Sequence, residues 1–223
     1  MSRTRREVII NIPHHVTQRG GRRQRVFFSD ADCQFYLSCL LEYMSIYHVE
    51  IYAYCLMVNH VHLIIVPLAA DSLHRFFKAV HSKYARYINA QYSWTGHLWQ
   101  ARFFSSPLDV EHFLTAITYV EENPVRAGMV ERPEMYRWSS AAHRLNGAAN
   151  PLITSTGVWA NLVDLMPKDN LFRVESSRII ENLRLATQRC LPCGSKEFVD
   201  GLSLEVGRDL SIKPHGRPRK VVP

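Results

Sequence analysis

Apolar and polar residues alternate from Val8 to Gln18 well enough to predict a strand, which ends at the turn-prone Arg19-Gly20-Gly21. Ser29 followed three residues later by Asp32 forms a capping-box pattern, and Phe35, Leu37, Leu40, Leu41 and Met44 supply a helical stripe behind it. Two apolar runs, Tyr52 to Met57 and His60 to Val66, flank Val58-Asn59 and read as a hairpin. A second helix is expected from Ser72, with Leu73, Phe76, Phe77, Val80, Tyr84, Tyr87 and Ile88 at helical spacing. A loop holding Ser93, Thr95 and Gly96 then leads to a fourth strand over Leu98 to Pro107. Asp109 is placed to cap a third helix through Phe113, Leu114, Ile117 and Val120, which Asn123-Pro124 ends because a residue before proline avoids helical backbone. Trp138-Ser139-Ser140 opens a shorter helix, and the stretch from Asn146 to Pro151 reads as a linker. Residues 152–190 look helical but weakly specified, and the last thirty look like an arm.

The order β-α-β-β-α-β predicts an α+β fold, a ferredoxin-like split βαβ antiparallel sheet with helices on one face. Residues 1–147 would form the main domain, and residues 148–223 a mostly helical or irregular C-terminal extension. The longest apolar runs are too short to cross a bilayer, and only Val8-Ile9-Ile10 follows the early arginines. The expected setting is therefore cytoplasmic, without a membrane partner. Five cysteines in a chain of 223 residues argue against a disulfide framework, and Cys190-Leu191-Pro192-Cys193 reads as two reduced thiols near a turn.

Charge changes the picture. The net charge is +7, but residues 1–25 hold seven arginines against one glutamate, and residues 208–223 hold five basic residues against one aspartate. The 182 residues between them sum to −3. Positive charge gathered in two terminal arms points to a polyanionic partner.

The candidate chemistry starts at His60-Val61-His62. Side chains two apart share a strand face, so both imidazoles point one way and supply half of a metal site. Tyr119 and Asn123, four apart, share a helix face. If that face looks at the histidines, two imidazoles, a carboxamide oxygen and a hydroxyl would suit Mg²⁺ or Mn²⁺ completed by substrate oxygens. Tyr119 could then attack a phosphodiester, conserving the broken bond's energy in a phosphotyrosine. Spacing alone also allows an incidental histidine pair, a core tyrosine and an asparagine that merely stops a helix.

Leu56-Met57-Val58-Asn59-His60-Val61-His62-Leu63 resembles the signature strand of the single-tyrosine HUH nucleases. Four more segments resemble the REP-associated tyrosine transposases: His15 to Gly20, Leu98 to Phe103, Tyr119 to Gly128, and Trp138-Ser139-Ser140. Their order and spacing fit over roughly residues 8–147. The resemblance implies that His60 and His62 bind the catalytic divalent metal, that Tyr119 is the nucleophile, and that Asn123 is a further ligand. It implies cleavage of single-stranded DNA beside imperfect hairpins of repetitive extragenic palindromes, leaving a 5′-phosphotyrosine and a free 3′-OH. It also implies a nucleoid-associated protein that acts as a monomer or a homodimer. Two positions depart from the pattern: Val58 stands where proline is usual, and Glu122 where an apolar residue is usual.

Arg19, Arg22, Arg23 and Arg25, interleaved with glycines, make a flexible basic loop suited to phosphates. Arg102 is flanked by Trp99, Phe103 and Phe104, which could stack unpaired bases or belong to the core. Lys83 is either a phosphate contact or a surface lysine. Gly216-Arg217-Pro218-Arg219-Lys220 resembles the core of an AT-hook, with Arg217 and Arg219 reaching into a narrow minor groove. Three alternatives remain: an RNA-recognition module, an inactive domesticated hairpin-binding protein, and a hydrolase that uses water with Tyr119 structural. The first lacks its aromatic Lys/Arg-Gly-Phe strand.

Overall fold

The computed structural model describes residues 6–167 and 177–213. Four strands, β1 (His14–Arg19), β2 (Val49–Met57), β3 (His60–Pro67) and β4 (Phe104–Pro107), form one antiparallel sheet in the order β2-β3-β1-β4. Helix α1 (Asp30–Ile46) links β1 to β2, and α2 (Ser72–Tyr92) links β3 to β4. The ferredoxin-like α+β arrangement is as expected. Ser29 and Asp32 form the reciprocal capping box that starts α1. Alternation puts Val16, Val61, Leu63 and Ile65 on one sheet face, where they bury against Phe76, Phe77, Tyr84 and Leu40 of the two helices.

The opposite face is covered as well, so helices are not confined to one side. Ala53, Cys55, Ile64 and Val66 pack there against Phe113, Ile117 and Val120 of α3 (Val110–Glu121). Asp109 caps α3 through Oδ1, which accepts from His112 N at 2.9 Å. Helix α7 (Ser177–Arg189), from the C-terminal extension, joins the same cluster through Leu183 and Ala186. Burying a leucine of this kind contributes about 1.5–3 kcal/mol. The extension thus belongs to the core beneath the sheet's second face.

Three boundaries differ from the sequence expectation. β1 begins at His14 rather than Val8, because Asn11 takes a left-handed turn (φ 62°) and Pro13 offers no N–H to a ladder. β4 is regular only from Phe104, since residues 98–103 touch β1's end at isolated points such as the Gly20–Trp99 bridge. The last thirty residues are not simply an arm. Ser195 caps helix α8 (Lys196–Val206), whose Leu202 packs with Leu210 on Ile9. Three shorter helices, α4 (Asn123–Arg126), α5 (Ala141–Asn146) and α6 (Val158–Asp164), fill the connections. No helix among the described residues is long and apolar enough to cross a membrane.

Candidate active site

β1 and β3 lie side by side, with Thr17 opposite His62, Arg19 opposite His60 and His15 opposite Ile64. The two-residue period of each strand therefore sends His15, Thr17, Arg19, His60 and His62 to one face. That face is the floor of a cavity of about 650 Å³, which Tyr119 and Asn123 also line. The Tyr119 ring meets His62 and His15 edge-on, each at 5.8 Å between centroids. Four residues chosen from spacing and resemblance (His60, His62, Tyr119 and Asn123) thus share one cavity, which Arg19 and Arg23 also line.

The hydrogen bonds dictate which nitrogen of each histidine is free. Asn59 donates its amide Nδ2 to the Arg23 carbonyl at 3.0 Å, which leaves Asn59 Oδ1 facing His60 Nδ1 at 2.6 Å. An amide oxygen only accepts, so His60 carries its proton on Nδ1 and presents a bare Nε2. A longer chain sets His62. Thr187 Oγ donates to the Leu183 carbonyl at 2.7 Å and so must accept from His15 Nδ1 at 2.8 Å. Burial pushes the His15 imidazole down to about 3, so it is neutral and its Nε2 is an acceptor. His62 Nδ1, 2.9 Å away, is then the donor, and His62 Nε2 is left with its lone pair. Burial also lowers His60 to about 4 and, with His15, His60 and nearby arginines, holds His62 well below the ordinary range.

Two neutral imidazoles, each held at Nδ1 by a fixed partner, are the form in which histidine binds a metal. The set fits a divalent cation of mixed N/O preference. Among the described residues no group of three or more His, Cys, Asp and Glu side chains is placed to hold a metal by itself. Completing a shell on His60 and His62 therefore calls on a carboxamide, water or substrate oxygen. Asn123 is such a group: its Oδ1 accepts from Arg126 at 3.0 Å, and a carbonyl oxygen keeps a second lone pair. The helix breaks at Glu122, and Asn123 begins the next turn, yet it still reaches the cavity.

The family model for IS200-like transposases matches residues 9–123, just over half of the chain. The chain belongs to the IS200-like transposase family. In fold it is similar to a REP-associated tyrosine transposase whose structure was solved bound to a REP hairpin. That likeness has a TM-score of 0.56 at 20% identity and covers 71% of this chain and 93% of that one. A crystal structure from Deinococcus radiodurans, assigned as a transposase, is more distant, with a TM-score of 0.38 at 21% identity over 55% of this chain and 97% of that one. No curated protein matches the chain in sequence.

Other expected residues of this transposase-family chain lie elsewhere. Arg22 lines a different cavity, beside Trp94 and His97. It and Arg23 occupy a turn of left-handed backbone behind Gly20, where a Cβ would run into the Gln24 carbonyl oxygen. Arg102 lies outside the histidine cavity, in an adjoining one that shares Phe104 and Gln188 with it. Phe103 is core, whereas Phe104 is 36% exposed and lines the histidine cavity. Glu122 pairs with Arg126 at 3.2 Å and is not among the cavity residues. Lys83 pairs with Glu42 on the surface. Cys190 and Cys193 are both free thiols. Arg217 and Arg219 fall outside the described residues.

Sequence reasoning missed His15, Arg184 and Thr187. The first had a signal, since His15, Thr17 and Arg19 make a polar row at strand spacing. Arg184 and Thr187 had none, because nothing in the weak pattern of residues 152–190 says where α7 docks.

Proposed function

We propose that this protein is a metal-dependent endonuclease and transesterase of single-stranded DNA, acting at REP-type hairpins through a 5′-phosphotyrosine intermediate. The carrying observation is that Tyr119 stands in one cavity with two histidines whose Nε2 lone pairs are free. Its Oη would attack phosphorus while the bond to the 3′-oxygen breaks, giving tyrosyl-DNA and a 3′-OH. A tyrosine adduct rather than hydrolysis keeps the strand ready for rejoining.

His60 and His62, with Asn123 as a third donor, would hold Mg²⁺ or Mn²⁺. Such an ion polarises the scissile phosphate as a Lewis acid. Arg19 and Arg23, which line the cavity, would draw in the DNA backbone, and exposed Phe104 offers a ring for an unpaired base. Arg102 in the adjoining cavity would hold the flanking strand, and the basic arm with Arg217 and Arg219 would add contacts to the duplex. The catalytic domain on this reading is residues 1–147, with residues 148–223 assisting. Tyrosine and histidines of one chain meet in one cavity, which supports cleavage by a single chain acting alone.

The test is a denaturing gel. The full chain is incubated with single-stranded hairpin oligonucleotides from its own genome, with Mg²⁺ or Mn²⁺, beside Tyr119→Phe. A covalent protein–DNA band that needs metal and is lost in the variant is expected. Hairpin binding without cleavage would make the protein an inactive regulator, and cleavage surviving the substitution would make water the nucleophile.

A further inference from the structure

Helix α7 lies beyond residue 123, where the family match ends, yet it delivers two side chains to the site. Arg184 and Thr187, three apart and so on one helical face, both line the histidine cavity. Thr187 closes the chain that orients His62, as described above. Arg184 reaches the other partner: its Nε donates to Tyr119 Oη at 3.1 Å. Its guanidinium carbon stands 5.4 Å from the Tyr119 ring centre, and that of Arg126 stands 4.3 Å away. Two guanidiniums therefore lie over one phenol, and one of them bonds the oxygen.

Tyr119 is the partner that holds the Arg184 head group. The residue is exposed, and no carboxylate among the described residues pairs with it. Seating α7 on the sheet falls to Leu183 and Ala186 in the core and to Thr187, bonded to His15 of β1.

We propose that Arg184 is a catalytic residue: it holds the nucleophilic oxygen of Tyr119 and stabilises the negative charge that develops on it. The proposal rests on the reading of Tyr119 given above. In cleavage, Oη forms a bond to phosphorus and gives up its proton to solvent. The bond from phosphorus to the 3′-oxygen breaks with its electron pair, and that oxygen takes a proton from water. A guanidinium only donates, so Arg184 is not the base. In rejoining, the 3′-OH attacks phosphorus and gives up its proton to solvent, while Tyr119 Oη leaves with the electron pair onto the same donor and takes a proton from water. One side chain therefore serves both directions, and its loss slows both alike.

The experiment compares the full-length wild type, Arg184→Ala, Arg184→Lys and Tyr119→Phe on a single-stranded hairpin oligonucleotide with Mn²⁺. Single-turnover rates of adduct formation and rejoining, hairpin affinity by fluorescence anisotropy and thermal melting are read for each. Arg184→Ala is expected to melt as the wild type does and bind the hairpin equally well, while forming and resolving adduct roughly 10²-fold more slowly. Added ethylguanidinium should restore part of that rate. Lysine should restore less than arginine, because an ammonium lacks the planar fork. An Arg184→Ala rate equal to wild type overturns the proposal. So does a rate loss fully explained by weaker hairpin binding, which would make Arg184 a DNA anchor. If the wild type forms no adduct, or Tyr119→Phe still does, the reading of Tyr119 fails first and takes this one with it.

Discussion

At the residue scale, the site is a problem of proton placement. His60 and His62 can bind a cation only through Nε2, and each is kept in that form by a partner at Nδ1: the Asn59 amide for one, the His15–Thr187–Leu183 chain for the other. Thr187→Val conserves volume but removes the acceptor for His15 Nδ1. His15 is then free to change tautomer, and His62 loses its fixed orientation. We expect Mn²⁺ affinity, measured by calorimetry on the full chain, to fall ~10–100-fold. Asn59→Ala should act comparably through His60. Unchanged affinity in both variants would mean that the Nδ1 partners are incidental.

At the element scale, α3 carries Tyr119, and ion pairs pin both of its ends. At its C-terminal end, buried Glu121 accepts from Arg144 at 2.6 Å and from Ser140 at 2.8 Å, tying α3 to α5. Burial raises the Glu121 carboxyl against the pull of Arg144. Arg144→Leu strands a buried acid and should cost about 3–5 kcal/mol in urea unfolding, and Glu121→Gln on that background should recover part of it. At the N-terminal end, Asp109 and then Cys193 hold the His112 imidazolium up to about 10. A histidine raised on folding stabilises fully below its unfolded value of about 6.5, and that contribution fades as pH climbs toward the folded one. The melting-temperature deficit of His112→Ala should therefore be largest near pH 6 and shrink by pH 10. A deficit independent of pH would mean that His112 acts by packing alone. The caps at both helices were legible beforehand, because Ser29, Asp32 and Asp109 act within their own turn. Contacts such as Glu121 with Arg144 join distant segments, and no local pattern announces them.

At the scale of the molecule, the sheet and the histidine floor follow from local periodicity: a two-residue repeat, a two-residue turn and four apolar strands suffice to expect them. The family resemblance placed Tyr119 and Asn123 at the same floor, and the structure brings them there. What could not be read was the second layer. α7 and α8 are amphipathic with short apolar stripes, so their sequence is consistent with many docking sites, and only the folded chain shows α7 beside Tyr119. The C-terminal extension is therefore a structural part of the cavity, whatever the basic arm beyond it does. On the proposed function, the chain cuts DNA by joining it to Tyr119. The most direct measurement is mass spectrometry of the protease-digested adduct formed on a hairpin oligonucleotide with Mn²⁺. A nucleotide linked through its 5′-phosphate to the peptide bearing Tyr119 is expected. Cleaved DNA with no nucleotide on that peptide would contradict it.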